Sequence, residues 1–251
     1  MPRFFLPSSS ISDGFVSISG PDALHIARSL RMKLGEVITV CDAAEMTEFE
    51  CELCSITPDF VQAKVLSSQK CVAEPPFKVR LYQAMPKGDK LDTIIQKAVE
   101  TGVFEIIPFE SERCIVKAEP AKFEKQTERR RRIALEAAKQ CGRGIIPTVR
   151  QPISFEKALA EAAEGDIAFI CYEGGGTRAL GEFISSDGTD IRFLIGPEGG
   201  FSEKEVAKAV EAGLGLAGLG KRILRTETAS SFVLSCITYE RELKAQSSAT
   251  V

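Results

Sequence analysis

The chain has 251 residues, enough for one large domain or two small ones, each able to bury a core. Its composition, 44% hydrophobic and 27% charged, is that of an ordinary globular protein, and no apolar run is long enough to span a bilayer. A net charge of −3 announces no nucleic-acid partner, the start MPRFFLPSSS has no signal-peptide apolar region, and eight scattered cysteines fit reduced thiols, so the reading is of a cytoplasmic protein.

The first seventy residues have a texture of their own. A short helical stretch around Asp22–Arg31 precedes EVITVC, TEFECELCSI and FVQAKVLSS, short alternating runs separated by turns, as in a small β-barrel or open sheet. In FECELCSI, Phe49, Cys51 and Leu53 alternate with Glu50 and Glu52, so Cys51 reads as the inward face of a strand. Cys51 and Cys54 form a C-x-x-C with no second pair at zinc spacing, which favours core packing over metal or redox work. CVAEPPF, with Pro75 and Pro76, reads as a linker.

From Lys78 the rhythm changes. KVRLYQAM reads as a strand, and DKLDTIIQKAVETG as a helix with Leu91, Ile94, Ile95, Ala98 and Val99 on one stripe and Gly102 as its stop. VFEIIPF is a strand, and a long basic helix ends near Cys141 and Gly142. SFEKALAEAA (helix), DIAFICYE and IRFLIG (strands), SEKEVAKAVEAG (helix) and LAGLG (short strand) follow, and a last helix covers roughly Thr228–Lys244. Strands alternating with helices predict a parallel α/β sheet. Between Ala121 and Arg150 stand nine Lys and Arg against three Glu, either an electrostatic footprint for phosphates or a solvated helix face.

Two glycine turns carry the chemistry. In LIGPEGGFSEKEV, Leu194–Val206, Ser202 and Glu205 make a capping box and Phe201 with Val206 a hydrophobic staple. The cap occupies helix N–H groups that an anion would need, and G-x-x-G-G matches neither the dinucleotide fingerprint nor the P-loop. The loop therefore reads as a backbone-lined ligand loop without a phosphate cradle, or as a tight structural turn. Gly196, Gly199 and Gly200 allow close approach, and Glu198 offers an acceptor to a hydroxyl, an amine or a cation. The second turn, LAGLGKRILRTETAS, leaves its strand through Gly218 and Gly220. Both turns follow strands whose carboxyl ends are the usual ligand edge of α/β sheets, and a joint pocket of backbone groups suits an adenine-type ring and a ribose. Lys221, Arg222 and Arg225 suit an anionic second substrate, or a solvated surface.

Taken together, LIGPEGGFSEKEV and LGKRILRTETA resemble the signature of the RsmE-type ribosomal RNA uridine N3-methyltransferases, within the SPOUT class. QAMPKGDKLDTIIQKAVETGVFEIIPFESERCIVK is similar to that family's lead into the methyltransferase domain, RRRRIALEAAKQCGRGIIPTV to its basic helix, and HIARSLRMKLGE to its RNA-binding barrel. The resemblance implies a PUA-like β-barrel over residues 1–72 and, over 76–251, a SPOUT-like α/β methyltransferase domain with a C-terminal trefoil knot. It implies S-adenosyl-L-methionine as cofactor, 16S ribosomal RNA or the small ribosomal subunit as partner, a homodimer, and methylation of N3 of one uridine. By motif position it assigns Leu194, Ile195, Gly196, Glu198, Gly199, Gly200, Leu219, Gly220, Ile223, Leu224, Thr226 and Glu227 to the cofactor. Arg3, His25, Arg28, Arg31, Lys87, Lys90, Arg113, Lys139 and Arg143 are the expected RNA contacts. Arg143 and Arg225 are the candidates for a positive group that favours the uridine anion, since N3 must lose its proton before it attacks a methyl group. The chain departs from the family in ERRRRIA, which lacks an aromatic residue after the first arginine, and in the serine-rich TASSFVLSC.

Overall fold

In a computed structural model the described residues are 1–115 and 120–244; Val116 and Lys117, the end of the CIVK stretch, lie outside them. The chain divides into two compact units, Met1–Glu74 with Ala138–Ile146, and Pro75–Ala137 with Pro147–Val251. The sequence reading has contiguous domains over 1–72 and 76–251, whereas the first unit is drawn from two separate stretches of chain. The reason is long-range bonding that no periodicity reports. Glu74 accepts from the Arg143 guanidinium at 2.8 and 2.7 Å and from the N–H groups of Gly144 and Ile145 at 2.9 and 3.3 Å.

The first unit contains β1 (Arg3–Phe5), β2 (Ile11–Ser12), β3 (Phe15–Ser19), helix α1 (Pro21–Leu24) continuing as a π-helical turn to Ser29, β4 (Val37–Asp42), β5 (Thr47–Ile56) and β6 (Phe60–Lys70). The strands order as β1-β4-β5-β6-β3-β2, antiparallel except for β1 beside β4. Among the described residues no β1–β2 pairing closes the ring, so the expected barrel is a curled sheet. Register shifts in β5 at Glu50/Cys51 and Leu53/Ser55 supply the local bend. Alternation puts Val16 and Ile18, Cys51 and Leu53, and Val61 and Ala63 into one core with Phe4, Ile26, Ile38 and Val40. Cys51 is fully buried, as its alternation predicts, and burial pushes its thiol up to about 11.

The second unit runs β7 (Lys78–Ala84), α2 (Lys90–Glu100), β8 (Glu105–Glu110), α3 (Pro120–Cys141, its last turn belonging to the first unit), β9 (Thr148–Val149), β10 (Ile153–Ser154), α4 (Phe155–Ala162), β11 (Ile167–Cys171), β12 (Arg178–Ala179), α5 (Leu180–Ile184), β13 (Asp190–Ile195), α6 (Glu203–Glu211), β14 (Gly215–Gly218) and α7 (Thr226–Thr238), which ends in a π-helical turn at Tyr239–Leu243. All pairings are parallel, in the order β10-β8-β7-β13-β11-β14-β12, with β9 also beside β8. Both faces are covered, as a parallel sheet requires. Tyr82, Ile107, Phe109, Ile170 and Leu194 pack with α4 and α6 through Phe155, Leu159 and Ala209. The alternate residues Leu81, Ile106, Phe169 and Phe193 are buried on the opposite face, where the Phe169 and Phe183 rings lie 5.2 Å apart and bring in α5. The short strands β1, β2, β9, β10 and β12 have two or three residues each, too few for alternation to register.

Strands β13, β11 and β14 are neighbours in that order, with Ile170 level with Leu194 on one side and with Leu216 on the other. Their carboxyl ends therefore deliver three loops to one edge of the sheet: residues 196–202, 172–177 and 219–225.

Candidate functional site

The three loops enclose a cavity of about 400 Å³. The first wall is the Gly196–Ser202 turn. Its helix start is built as the spacing predicts. Ser202 Oγ accepts from Glu205 N–H at 3.3 Å, and Ser202 N–H donates to the Glu205 carboxylate at 2.9 Å. Glu205 is 4% exposed and also accepts from Ser111 Oγ at 2.8 Å and Glu112 N–H at 2.9 Å, so this buried carboxylate is fully occupied. At the α6 N-terminus the Glu205 N–H is thus spent on the Ser202 cap and the Val206 N–H on the Ser202 carbonyl, leaving fewer donors for an anion.

The second wall is the start of α7. The Thr226 hydroxyl donates to the Gly196 carbonyl at 2.7 Å and accepts from Gln83 Nε2 at 2.9 Å. Gln83, fully buried on β7, also has Ser230 Oγ at 2.9 Å from its carbonyl oxygen. Ser230, one of the serines that set TASSFVLSC apart, is therefore a buried partner of β7. Gln83 itself was not singled out by sequence, because nothing in QAMPKG marks a buried amide.

Glu198 lines the cavity and accepts from Lys90 Nζ at 2.8 Å and Lys87 N–H at 3.2 Å. Burial raises its carboxyl, and the Lys90 ammonium and the two N–H donors more than offset this, so it stays below the ordinary carboxylate value. Lys90 also approaches Glu227 at 3.7 Å, while the buried Oε2 of Glu227 has no hydrogen-bond partner among the described residues.

Of the residues expected at the cofactor, Ile195, Gly196, Glu198, Gly200, Leu219, Gly220, Ile223, Leu224 and Thr226 line this cavity. Leu194 does not; it is fully buried in the apolar core beneath the turn. Gly199 turns away, its carbonyl accepting from Arg113 Nη1 at 2.7 Å, and Glu227 reaches the site only through Lys90. Sequence missed the third wall altogether. Cys171, Tyr172, Glu173 and Thr177 line the cavity from the loop after β11, whose position between the two glycine turns is visible only in the strand order.

The two candidate positive groups differ. Arg225 is exposed on the cavity lining, and its guanidinium has no ion pair among the described residues. Arg143 lies in the first unit and is 4% exposed, with its guanidinium clamped by Glu74. The structure thus places the Arg143 guanidinium on Glu74, away from the cavity lining, where the sequence reading had it as a catalytic and RNA-contacting residue. Two further expected RNA contacts are also committed within the first unit. Arg3 bonds Glu48 at 2.9 Å, Cys41 Sγ at 2.7 Å and the Arg143 carbonyl at 3.2 Å. Lys139 pairs with Asp22 at 3.2 Å above the Phe4 ring. His25, Arg28 and Arg31 are exposed, as are Lys87 and Arg113; Lys90 is partly exposed. In the arginine run of α3 only Arg130 is buried, and Arg129, Arg131 and Arg132 are exposed. Arg129 and Arg130 reach Asp92 at 2.5 and 3.5 Å, and Arg131 bonds the Val149 carbonyl at 3.2 Å.

Residues 73–238 match the model of the RNA methyltransferase domain and residues 18–66 that of the RNA methyltransferase PUA domain. The chain is 39% identical to ribosomal RNA small subunit methyltransferase E of Bacillus subtilis over 90% of its own length and 91% of that protein's. It is 34% identical to the protein of the same name from Mesomycoplasma hyopneumoniae, covering 94% and 99%. In structure it is similar to the Neisseria gonorrhoeae methyltransferase of that name bound to S-adenosyl methionine, with a TM-score of 0.84, 32% identity and coverage of 95% and 97%. A putative methyltransferase from Legionella pneumophila with bound cofactor also gives 0.84, at 30% identity and coverage of 94% and 96%. The described residues contain no helix long and apolar enough to cross a membrane. On this footing the chain belongs to the RNA methyltransferase family that joins a PUA domain to a parallel α/β methyltransferase domain.

Proposed function

We propose that the chain methylates N3 of a uridine in 16S ribosomal RNA, using S-adenosyl-L-methionine held in the three-loop cavity. The observation that carries this is a backbone-lined cavity at the carboxyl edge of the sheet whose helix start carries the Ser202–Glu205 cap and whose carboxylate Glu198 is paired with Lys90. A nucleoside cofactor without phosphate fits such a lining, and a Cβ at Gly200 would intrude on it. When bound, the cofactor supplies an electrophilic methyl group. The protein supplies alignment, through turns fixed by the Thr226–Gly196 bond. Arg225 stabilises negative charge on the base as N3 loses its proton.

His25, Arg28 and Arg31, with Lys87, Lys90 and Arg113, hold the RNA in this reading. The homodimer is supported by Phe232, Tyr239 and Leu243, which α7 and its terminal turn leave exposed at 39, 61 and 52%. A C-terminal trefoil knot belongs to this reading, and the position of β13 between β7 and β11 is in keeping with it. The cytoplasm is the compartment that holds the RNA substrate.

The test is transfer of an isotopically labelled methyl group to small-subunit RNA, followed by digestion to nucleosides and mass spectrometry. N3-methyluridine is the expected product. A ribose-methylated nucleoside, or no transfer to RNA or to assembled subunits, overturns the proposal.

A further inference from the structure

The loop after β11, Tyr172–Thr177, packs against both glycine turns at once. A Cβ built on Gly200, which sits at φ +66°, would fall inside the Glu173 carboxylate, so that carboxylate lies directly on the first turn. At the loop's far end Thr177 Oγ1 is 2.9 Å from where a Gly218 Cβ would stand, so the loop also touches the second turn. The Tyr172 ring folds over Gly174 and braces the chain between these two contacts.

Two carboxylates line the cavity, and their circumstances differ. Glu198 is bound by Lys90 Nζ and Lys87 N–H. Glu173 is exposed to the cavity side and has no hydrogen bond or ion pair among the described residues. Lys90 with Glu198 presents a cation beside an anion, the complement of a zwitterionic amino-acid tail. A lone carboxylate with no cation beside it complements a neutral group that carries two donors, because an ionised carboxylate only accepts and offers about four lone-pair sites. The part of a nucleoside cofactor that fits this description is the vicinal diol of its ribose.

We propose that Glu173 is the ribose-recognising residue of the cofactor site, receiving both ribose hydroxyls on its carboxylate. This rests on the reading of the cavity as the S-adenosylmethionine site. Because Glu173 has no hydrogen bond or ion pair among the described residues, its replacement is expected to leave the fold intact, and thermal melting of Glu173→Gln checks this directly.

The experiment is calorimetric titration of wild type, Glu173→Gln and Glu173→Asp with two ligands: S-adenosylmethionine, and methylthioadenosine, which keeps the adenine and ribose but lacks the sulfonium and the amino acid. Loss of a charged hydrogen-bond acceptor weakens binding roughly 10- to 100-fold. The expected result is that Glu173→Gln weakens both ligands by a similar factor in that range and that Glu173→Asp recovers part of it. Weakening of S-adenosylmethionine alone would place Glu173 at the sulfonium or the amino group and overturn the proposal. Equal affinity of wild type and Glu173→Gln for both ligands overturns it as well. Failure of wild type to bind either ligand is a different result, which overturns the cofactor reading and this inference with it.

Discussion

The Thr226 hydroxyl donates to the Gly196 carbonyl at 2.7 Å across thirty residues of chain, tying the first helical residue of α7 to the first glycine of the opposite turn. The same hydroxyl accepts from Gln83, so one side chain joins β7, the glycine turn and α7. Thr226→Val removes both bonds, leaving the half-buried Gly196 carbonyl without this donor and the buried Gln83 amide with one of its two hydrogens unaccepted, its bond to the Ala84 carbonyl remaining. The expected loss is about 2 kcal/mol of stability with weakened cofactor binding. Denaturant unfolding and titration measure the two effects, and Thr226→Ser should restore most of each.

Glu205 supports the site from below. Its carboxylate accepts three bonds in a 4% exposed position and caps α6. Glu205→Ala is expected to cost about 3 kcal/mol, by loss of charge-assisted bonds and exposure of capping donors to an apolar surround. The comparison is Ser202→Ala, which removes the reciprocal half of the cap and costs about 1 kcal/mol. Equal effects in denaturant melts would contradict this reading.

The glycines of G-x-x-G-G are not equivalent. A Cβ on Gly199 meets the Arg113 side chain at an ordinary 3.5 Å. A Cβ on Gly200 meets the Glu173 carboxylate at φ +66°, a conformation that costs an L-residue about 1–2 kcal/mol. Gly199→Ala is therefore expected to leave cofactor affinity within about twofold of wild type, and Gly200→Ala to reduce it by tenfold or more. Parallel titrations of the two variants decide this.

Much of this site was legible in sequence because local rules specify it. Ser202 and Glu205 at i, i+3 spell a capping box, and the box forms. The striped helix Lys90–Glu100 buries Leu91, Ile94, Ile95, Ala98 and Val99, the five residues its spacing marks. What escaped is set by distance along the chain. Gln83 meets Ser230 across 147 residues, and Glu74 meets Arg143 across 69. Glu173 belongs to the site only because β11 lies between β13 and β14. A run of arginines shows how much charge is present, and only the fold shows that Asp92 pairs with Arg129 and Arg130 and that the Val149 carbonyl accepts from Arg131.

The role of Arg143 can be checked directly. Its pair with Glu74 is 5% and 7% exposed on the two side chains. Arg143→Ala leaves a buried carboxylate uncompensated and is expected to lose about 3–5 kcal/mol of stability. Arg143→Met with Glu74→Leu removes both charges and should recover most of it. Recovery of stability in the double variant, seen in thermal melts without RNA or cofactor, identifies the pair as structural. An Arg143→Ala variant of unchanged stability would return Arg143 to the list of RNA contacts.

The Lys90–Glu198 pair sets the pH behaviour of the cavity. Glu198 is held below its ordinary value despite burial, so its contribution is present above that value and is lost as the pH falls through the lower folded midpoint. Lys90 is raised by Glu198, so its contribution is present below the ordinary lysine value and is lost as the pH rises through the raised midpoint. The pair therefore persists from about pH 5 to about pH 10. In Lys90→Met the burial of Glu198 is offset by the two N–H donors alone, and its carboxyl midpoint should rise, which a carbon-detected NMR titration reads. An unmoved midpoint would show that Lys90 does not hold Glu198.

The central claim is that S-adenosylmethionine occupies the cavity between the loops that follow β11, β13 and β14. Isothermal titration of the purified protein, with Gly200→Val beside it, tests this most directly. The account predicts one cofactor bound per chain by wild type and none by the variant, with both proteins melting cooperatively. Wild-type binding that survives unchanged in Gly200→Val would place the cofactor elsewhere, and a wild type that binds none at millimolar cofactor would contradict the account outright.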